Sequence, residues 1–245
     1  MKAKSLALDL LALAIAPLLI AQAMWLKRTV PRLPEAAGPR HGRVAGTSPG
    51  LKLLVLGESP TAGVGVDHQD QAVGACLAAC LAARFGCEVE WRSLAANGLT
   101  AHALTSRLDA ELAAAPVDIA LIALGVNDSL HWHRPRRWRQ DLKQLISLIE
   151  ARCQPRLIVL SPVVPMASFP ALPFPIRQLL GWKSAQLDAA LATLADTDPR
   201  LSRPEVAFDG SLDGLFAADG FHPNAAGHKL WAEQLAEGIA RHWSS

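Results

Sequence analysis

The stretch "LVLGESPTAGVGV", residues 54–66, decides the fold. It follows on from Leu53, so that Leu53-Leu54-Val55-Leu56 is an unbroken apolar run, and it then enters a turn holding three glycines and one serine. A strand that is apolar at every position has to be covered on both faces, as a central strand of a parallel sheet is. Gly57 ends the run, and the turn after it presents Ser59.

Working outward, strand patterns are predicted at 52–56, 88–94, 118–124, 156–160 and 205–208, and helical patterns at 71–85, 101–114, 136–152, 178–195 and 224–242. Strand and helix alternating at this spacing predict a three-layer α/β/α sandwich around a central, mainly parallel five-stranded sheet. In such sheets ligands bind beyond the carboxyl ends of the strands. Polar clusters stand at those places: Gly57-Glu58-Ser59, the loop holding Gly98, and Gly125-Val126-Asn127-Asp128. A fourth, Asp219-Gly220-Phe221-His222-Pro223-Asn224, precedes the last helix.

A serine hydroxyl is a poor nucleophile at neutral pH and needs an imidazole to accept its proton, with a carboxylate to orient that imidazole. Ser59, His222 and Asp219 are of those types. A tetrahedral intermediate also needs donors aimed at its oxyanion, and the Ser59 N–H, the Gly98 N–H and the Asn127 amide are candidates. Taken singly, each residue has a plainer role: a serine after a strand caps helices, Asn127 and Asp128 form turns, and Asp219 caps the final helix. Four such loops at one end of the sheet favour catalysis.

In these blocks, "LGESPTAGVG", "SLAANGLTA", "LGVND" and "DGFHPN", the sequence resembles the SGNH or GDSL hydrolases, in order, across roughly 51–243. The resemblance implies the flavodoxin-like fold of that family. It also implies Ser59 as nucleophile, Asp219 and His222 as acid and base, Ser59, Gly98 and Asn127 as the oxyanion hole, and no cofactor. One departure is Glu58 in place of the usual aspartate. Another is Pro60, which has no N–H and so disfavours the nucleophile elbow of the α/β-hydrolases, where the residue after the serine donates to the oxyanion. The glycines make neither G-x-G-x-x-G nor a phosphate loop.

The implied activity is cleavage of carboxylic esters or thioesters through an acyl-enzyme. Alternatives are a non-catalytic lipid- or carbohydrate-binding module on the same scaffold and an acyltransferase or deacetylase acting on polysaccharide. The loop "SPVVPMASFPALPFPIRQLLGW", 161–182, is long and rich in proline, and Met166, Phe169 and Phe174 are expected to wall a substrate pocket. His131 and His133 read as a solvated rim, and Asp209 and Asp213 as alternative acids.

The remaining expectations are broader. A 51% hydrophobic, 19% charged composition is that of a globular chain, and 24 basic against 22 acidic residues, without a basic stripe, exclude nucleic acid as a partner. Four cysteines without C-x-x-C spacing or histidine partners predict no metal. Residues 10–26 are uncharged, interrupted only by Pro17 and Gln22, so residues 1–28 read as a membrane-anchor helix, 29–50 as a linker and 51–245 as the hydrolase domain. Lys27, Arg28, Arg32, Arg40 and Arg43 after the segment, against Lys2 and Lys4 before it, place the domain on the cytoplasmic side. The alternatives are a signal peptide cleaved near Ala21-Gln22-Ala23 and a helix packed on the domain.

Overall fold

The computed structural model of the chain describes residues 14–207, 212 and 214–243. Strands β1 (His41–Val44), β2 (Ser48–Gly57), β3 (Cys87–Ala95), β4 (Ile119–Ala123), β5 (Leu157–Leu160) and β6 (Leu201–Ser202) form one sheet in the order β1-β3-β2-β4-β5-β6. All pairings are parallel except β1 with β3. The helices are α1 (Ala16–Thr29), α2 (Val73–Phe85), α3 (Ala101–Glu111), α4 (Val126–Leu130), α5 (Pro135–Cys153), α6 (Ile176–Ala195) and α7 (Ala225–Trp243).

Alternation along the central strands splits the core in two. Leu54, Leu56, Ala120, Ile122, Ile158 and Leu160 point to one face, against Leu104 and Leu108 of α3, Leu142 and Leu145 of α5 and Leu187 of α6. Leu53, Val55, Ile119, Leu121, Leu157 and Val159 point to the other, against Leu77 and Leu81 of α2 and Leu235 and Ile239 of α7. Both sides being dry explains the unbroken apolar run before Gly57.

The sheet has six strands rather than five, and two expectations need correction. The sixth strand, β1, comes from the stretch expected to be a linker. Just before it, Glu35 Oε1 accepts the Asn97 N–H at 2.6 Å and Arg40 Nη1 donates to the Ala95 carbonyl at 2.5 Å, so this stretch fastens the loop after β3. At the other edge, β6 is Leu201–Ser202, and residues 205–207 form no strand. Val206 and Ala207 line a pocket instead, which gives the same apolar signature as a strand.

Among the described residues no helix is long and apolar enough to cross a membrane. The described helix at the amino end is 14 residues long, and residues 10–13 of the uncharged run lie outside the described residues. α1 packs on the domain: Gln22 Nε2 donates to the Phe174 carbonyl at 2.6 Å, Gln22 Oε1 accepts the Ile176 N–H at 3.3 Å, and Leu26 packs against Met166, Phe169, Leu172 and Leu180.

Candidate active site

From β2 the chain goes through α2 to β3 on one side, then crosses through α3 to β4 on the other, which makes the carboxyl ends of β2 and β4 a switch point. Gly57 is in register with both Ala95 and Ala123, so the loops after the three strands leave the sheet at one level. Two of these loops contain Ser59 and Gly98, and the third leads into α4, whose first turn carries Asn127.

After β2 the chain turns tightly, with the Ala62 N–H donating to the Glu58 carbonyl and the Val64 N–H to the Ser59 carbonyl, both at 3.0 Å. Gly65 has φ +105°, and a Cβ on it would lie 2.2 Å from the Pro223 carbonyl oxygen. Its bare backbone lets the serine turn lie against the loop before α7. Across that contact, Ser59 Oγ stands 2.9 Å from His222 Nε2, and His222 Nδ1 stands 2.6 Å from Asp219 Oδ2. Asp219 Oδ1 accepts the N–H groups of Phe221 at 2.9 Å and His222 at 3.0 Å. Burial pushes the Asp219 carboxyl up, but its hydrogen bonds from His222 and Phe221 outweigh that and hold it below the usual carboxylate range. A charged acid, an imidazole and a hydroxyl therefore stand in line.

Asn127 is tied differently from what its sequence position suggests. Its Nδ2 donates to Glu58 Oε2 at 2.5 Å and to the Leu99 carbonyl at 3.2 Å, which engages both amide hydrogens. Glu58, 3% exposed, also accepts the Val126 N–H and the Asn127 N–H, both at 2.9 Å. Burial pushes its carboxyl up to about 8, against the pull of those backbone donors. Among the described residues no hydrogen bond engages the N–H of Ser59 or of Gly98, and the Cβ side of Gly98 is open. Ser59 is buried at the start of the turn after β2, and Gly98 is exposed in the loop after β3.

A narrow apolar pocket of about 100 Å³ opens at Ser59 and His222, walled by Phe169, Phe216, Phe221, Leu230 and Trp231 among others. Phe169 meets Phe216 and Phe221 edge to face, with ring centroids 5.6 and 4.8 Å apart. Of the other two expected wall residues, Met166 is fully buried in the cluster behind Phe169, and Phe174 is 71% exposed on the outer surface, so neither lines this pocket. On the other side of His222 lies a wider cleft of about 530 Å³, bounded by Leu26, Lys27, Arg32, Asn97 and Leu130.

Three neighbouring residues have roles the sequence did not reveal. Asp128, fully buried, accepts the Ala101 N–H at the start of α3 at 3.1 Å and pairs with His133 Nδ1 at 2.8 Å, so His133 holds a buried acid rather than a solvated rim. Burial pushes the Asp128 carboxyl up. Asp209 and Asp213 lie outside the described residues. His228, fully buried on α7, is held at about 4 by burial. A histidine depressed in the folded state and ordinary in the unfolded one contributes stability above pH 6.5 that is lost as pH falls towards 4, roughly 3 kcal/mol in all. Urea unfolding at pH 7.5 and pH 4 is expected to show a larger acid loss for the wild-type chain than for His228→Leu, and equal losses overturn this.

Comparison with known proteins follows the same lines. Two solved structures share the fold: TesA, 21% identical with a TM-score of 0.59 over 78% of this chain and 99% of that one, and the psychrotrophic esterase EstA from Pseudoalteromonas sp., 18% identical with a TM-score of 0.57 over 79% and 99%. The GDSL-like esterase Rv1075c of Mycobacterium tuberculosis is 25% identical over 193 residues, 76% of this chain. The match spans 60% of the length of that relative. The sequence profile of the GDSL-like lipase/acylhydrolase family matches residues 55–230.

Proposed function

Since the chain belongs to the GDSL-like lipase/acylhydrolase family, we propose that it hydrolyses carboxylic esters through an acyl-enzyme on Ser59. The observation that supports this reading is the hydrogen-bonded line from Ser59 Oγ through His222 to Asp219. Ser59 Oγ attacks the ester carbonyl carbon while its proton passes to His222 Nε2, and Asp219 stabilises the imidazolium. The Ser59 and Gly98 N–H groups take the oxyanion, and Asn127 holds the neighbouring loop in place. As the intermediate collapses, the bond to the leaving alcohol breaks and His222 returns its proton to that oxygen. A water molecule, deprotonated by the same imidazole, then releases the acid.

The apolar pocket takes the acyl chain. Its lining runs along α7 from Gly227 to Gln234, about 10 Å at the rise of a helix. That length and the narrow bore suit an unbranched acyl chain of medium length, and the wider cleft on the far side of His222 suits the alcohol. A fluorophosphonate probe tests the reading, because only an activated serine reacts with it. Labelling is expected on the peptide that contains Ser59 and to vanish in His222→Ala. A chain that stays unlabelled while folded overturns it.

A further inference from the structure

α1 is apolar on more than the face that meets the domain. Ile15, Leu19, Gln22, Leu26 and Val30 recur every three or four residues and form the half-buried stripe against the domain. On its remaining surface Leu18, Ile20, Met24 and Trp25 are 49%, 60%, 50% and 53% exposed. Seven large hydrophobic residues are exposed among the described residues, and these four are joined by Phe174 at 71% and Leu130 at 45%. Phe174 is tied to α1 through its carbonyl and Gln22, and Leu130 lines the cleft that α1 shares with His222. Six of the seven therefore lie on α1 or on segments that α1 touches or shares that cleft with, a concentration that marks an interaction surface.

Its charge points to the occupant. Lys27 and Arg28 close the last turn of α1, and Arg32 stands at the rim of the cleft, while residues 14–34 contain no acidic side chain. We propose that α1 and Phe174 form an interfacial docking face that seats the catalytic cleft on a lipid surface rich in anionic headgroups. The aliphatic side chains and Phe174 enter the acyl boundary, Trp25 lies at the headgroup level, and Lys27 and Arg28 meet the phosphates. A second copy of the chain fits less well, because its own face would bring the same three cations and no acid to meet them. The inference extends the esterase reading to esters presented at a membrane surface, but the docking itself does not depend on that chemistry.

Co-sedimentation of the full chain with vesicles of phosphatidylcholine alone, and of phosphatidylcholine mixed with phosphatidylglycerol, tests the docking. Wild-type protein and Ser59→Ala are expected to bind the anionic vesicles alike, about tenfold more tightly than the neutral ones. The combined Ile20→Ser, Met24→Ser and Trp25→Ser variant is expected to lose at least about tenfold of that binding. Its folding is checked by thermal unfolding and by turnover of a soluble short-chain ester. Lys27→Gln with Arg28→Gln is expected to erase the preference for the anionic mixture. The proposal is overturned if the combined Ile20→Ser, Met24→Ser and Trp25→Ser variant sediments like wild type, if wild type ignores both vesicles, or if lipid-free protein is a dimer that this triple variant splits.

Discussion

Alanine at Ser59 is expected to cut turnover of a short p-nitrophenyl ester by about ten-thousandfold or more, with the far-ultraviolet spectrum and unfolding midpoint unchanged. The side chain is small, and its hydroxyl has His222 as its hydrogen-bond partner, so little packing is lost with it. His222→Ala is expected to be as damaging, and the double variant no worse than either single one, because the two groups act as one unit and their effects do not add. Asp219→Asn is expected to lose a comparable factor. An amide leaves one oxygen to serve Phe221, His222 and the imidazole, where the carboxylate now uses two. Turnover within tenfold of wild type in purified Ser59→Ala would remove the acyl-enzyme from consideration.

Changing Glu58 is expected to have the second largest effect. Its carboxyl oxygens gather three donors, the N–H groups of Val126 and Asn127 and the Asn127 side chain, at the place where β4 passes into α4. Glu58→Ala leaves those donors unpaired in a buried site, and kcat is expected to fall about a hundredfold with KM little changed, as when an oxyanion-hole element is lost. Glu58→Asp, one methylene shorter, is expected to fall between alanine and wild type. A pure KM effect would show that Glu58 shapes binding instead. The same residue predicts an alkaline weakness. Its folded-state value of about 8 lies above the ordinary 4.5, so its contribution to stability is present below pH 4.5 and is lost as pH rises through 8. Unfolding at pH 6 and pH 9 is expected to show this loss in wild type and not in Glu58→Gln.

The layers of the fold and the line of Ser59, His222 and Asp219 were legible because each left a local mark: four consecutive apolar residues before Gly57, helical spacing between strands, and polar blocks after them. What escaped notice lacked such a mark. His41–Val44 pairs with β3 from the sheet edge, where half the strand faces solvent and a polar, glycine-containing segment suffices. Leu201–Ser202 is too short to show a period. Residues 205–207 are apolar because Val206 and Ala207 face a pocket, which a one-dimensional pattern cannot separate from facing a sheet. The hold of Glu58 on Asn127 spans 69 positions, so spacing alone gives no sign of it.

The sheet's two margins bear on how the protein behaves at high concentration. One ends in the two residues of β6, the other in the four of β1, where Arg43 lies beside Glu88 and Glu90. A stray strand from a neighbour would find only a few rungs to extend and a charged fringe beside them, so fibril-like growth from either border gains little. Clumping, if it occurs, should begin instead at the greasy amino-terminal helix, and mild detergent rather than a change of salt should reverse it.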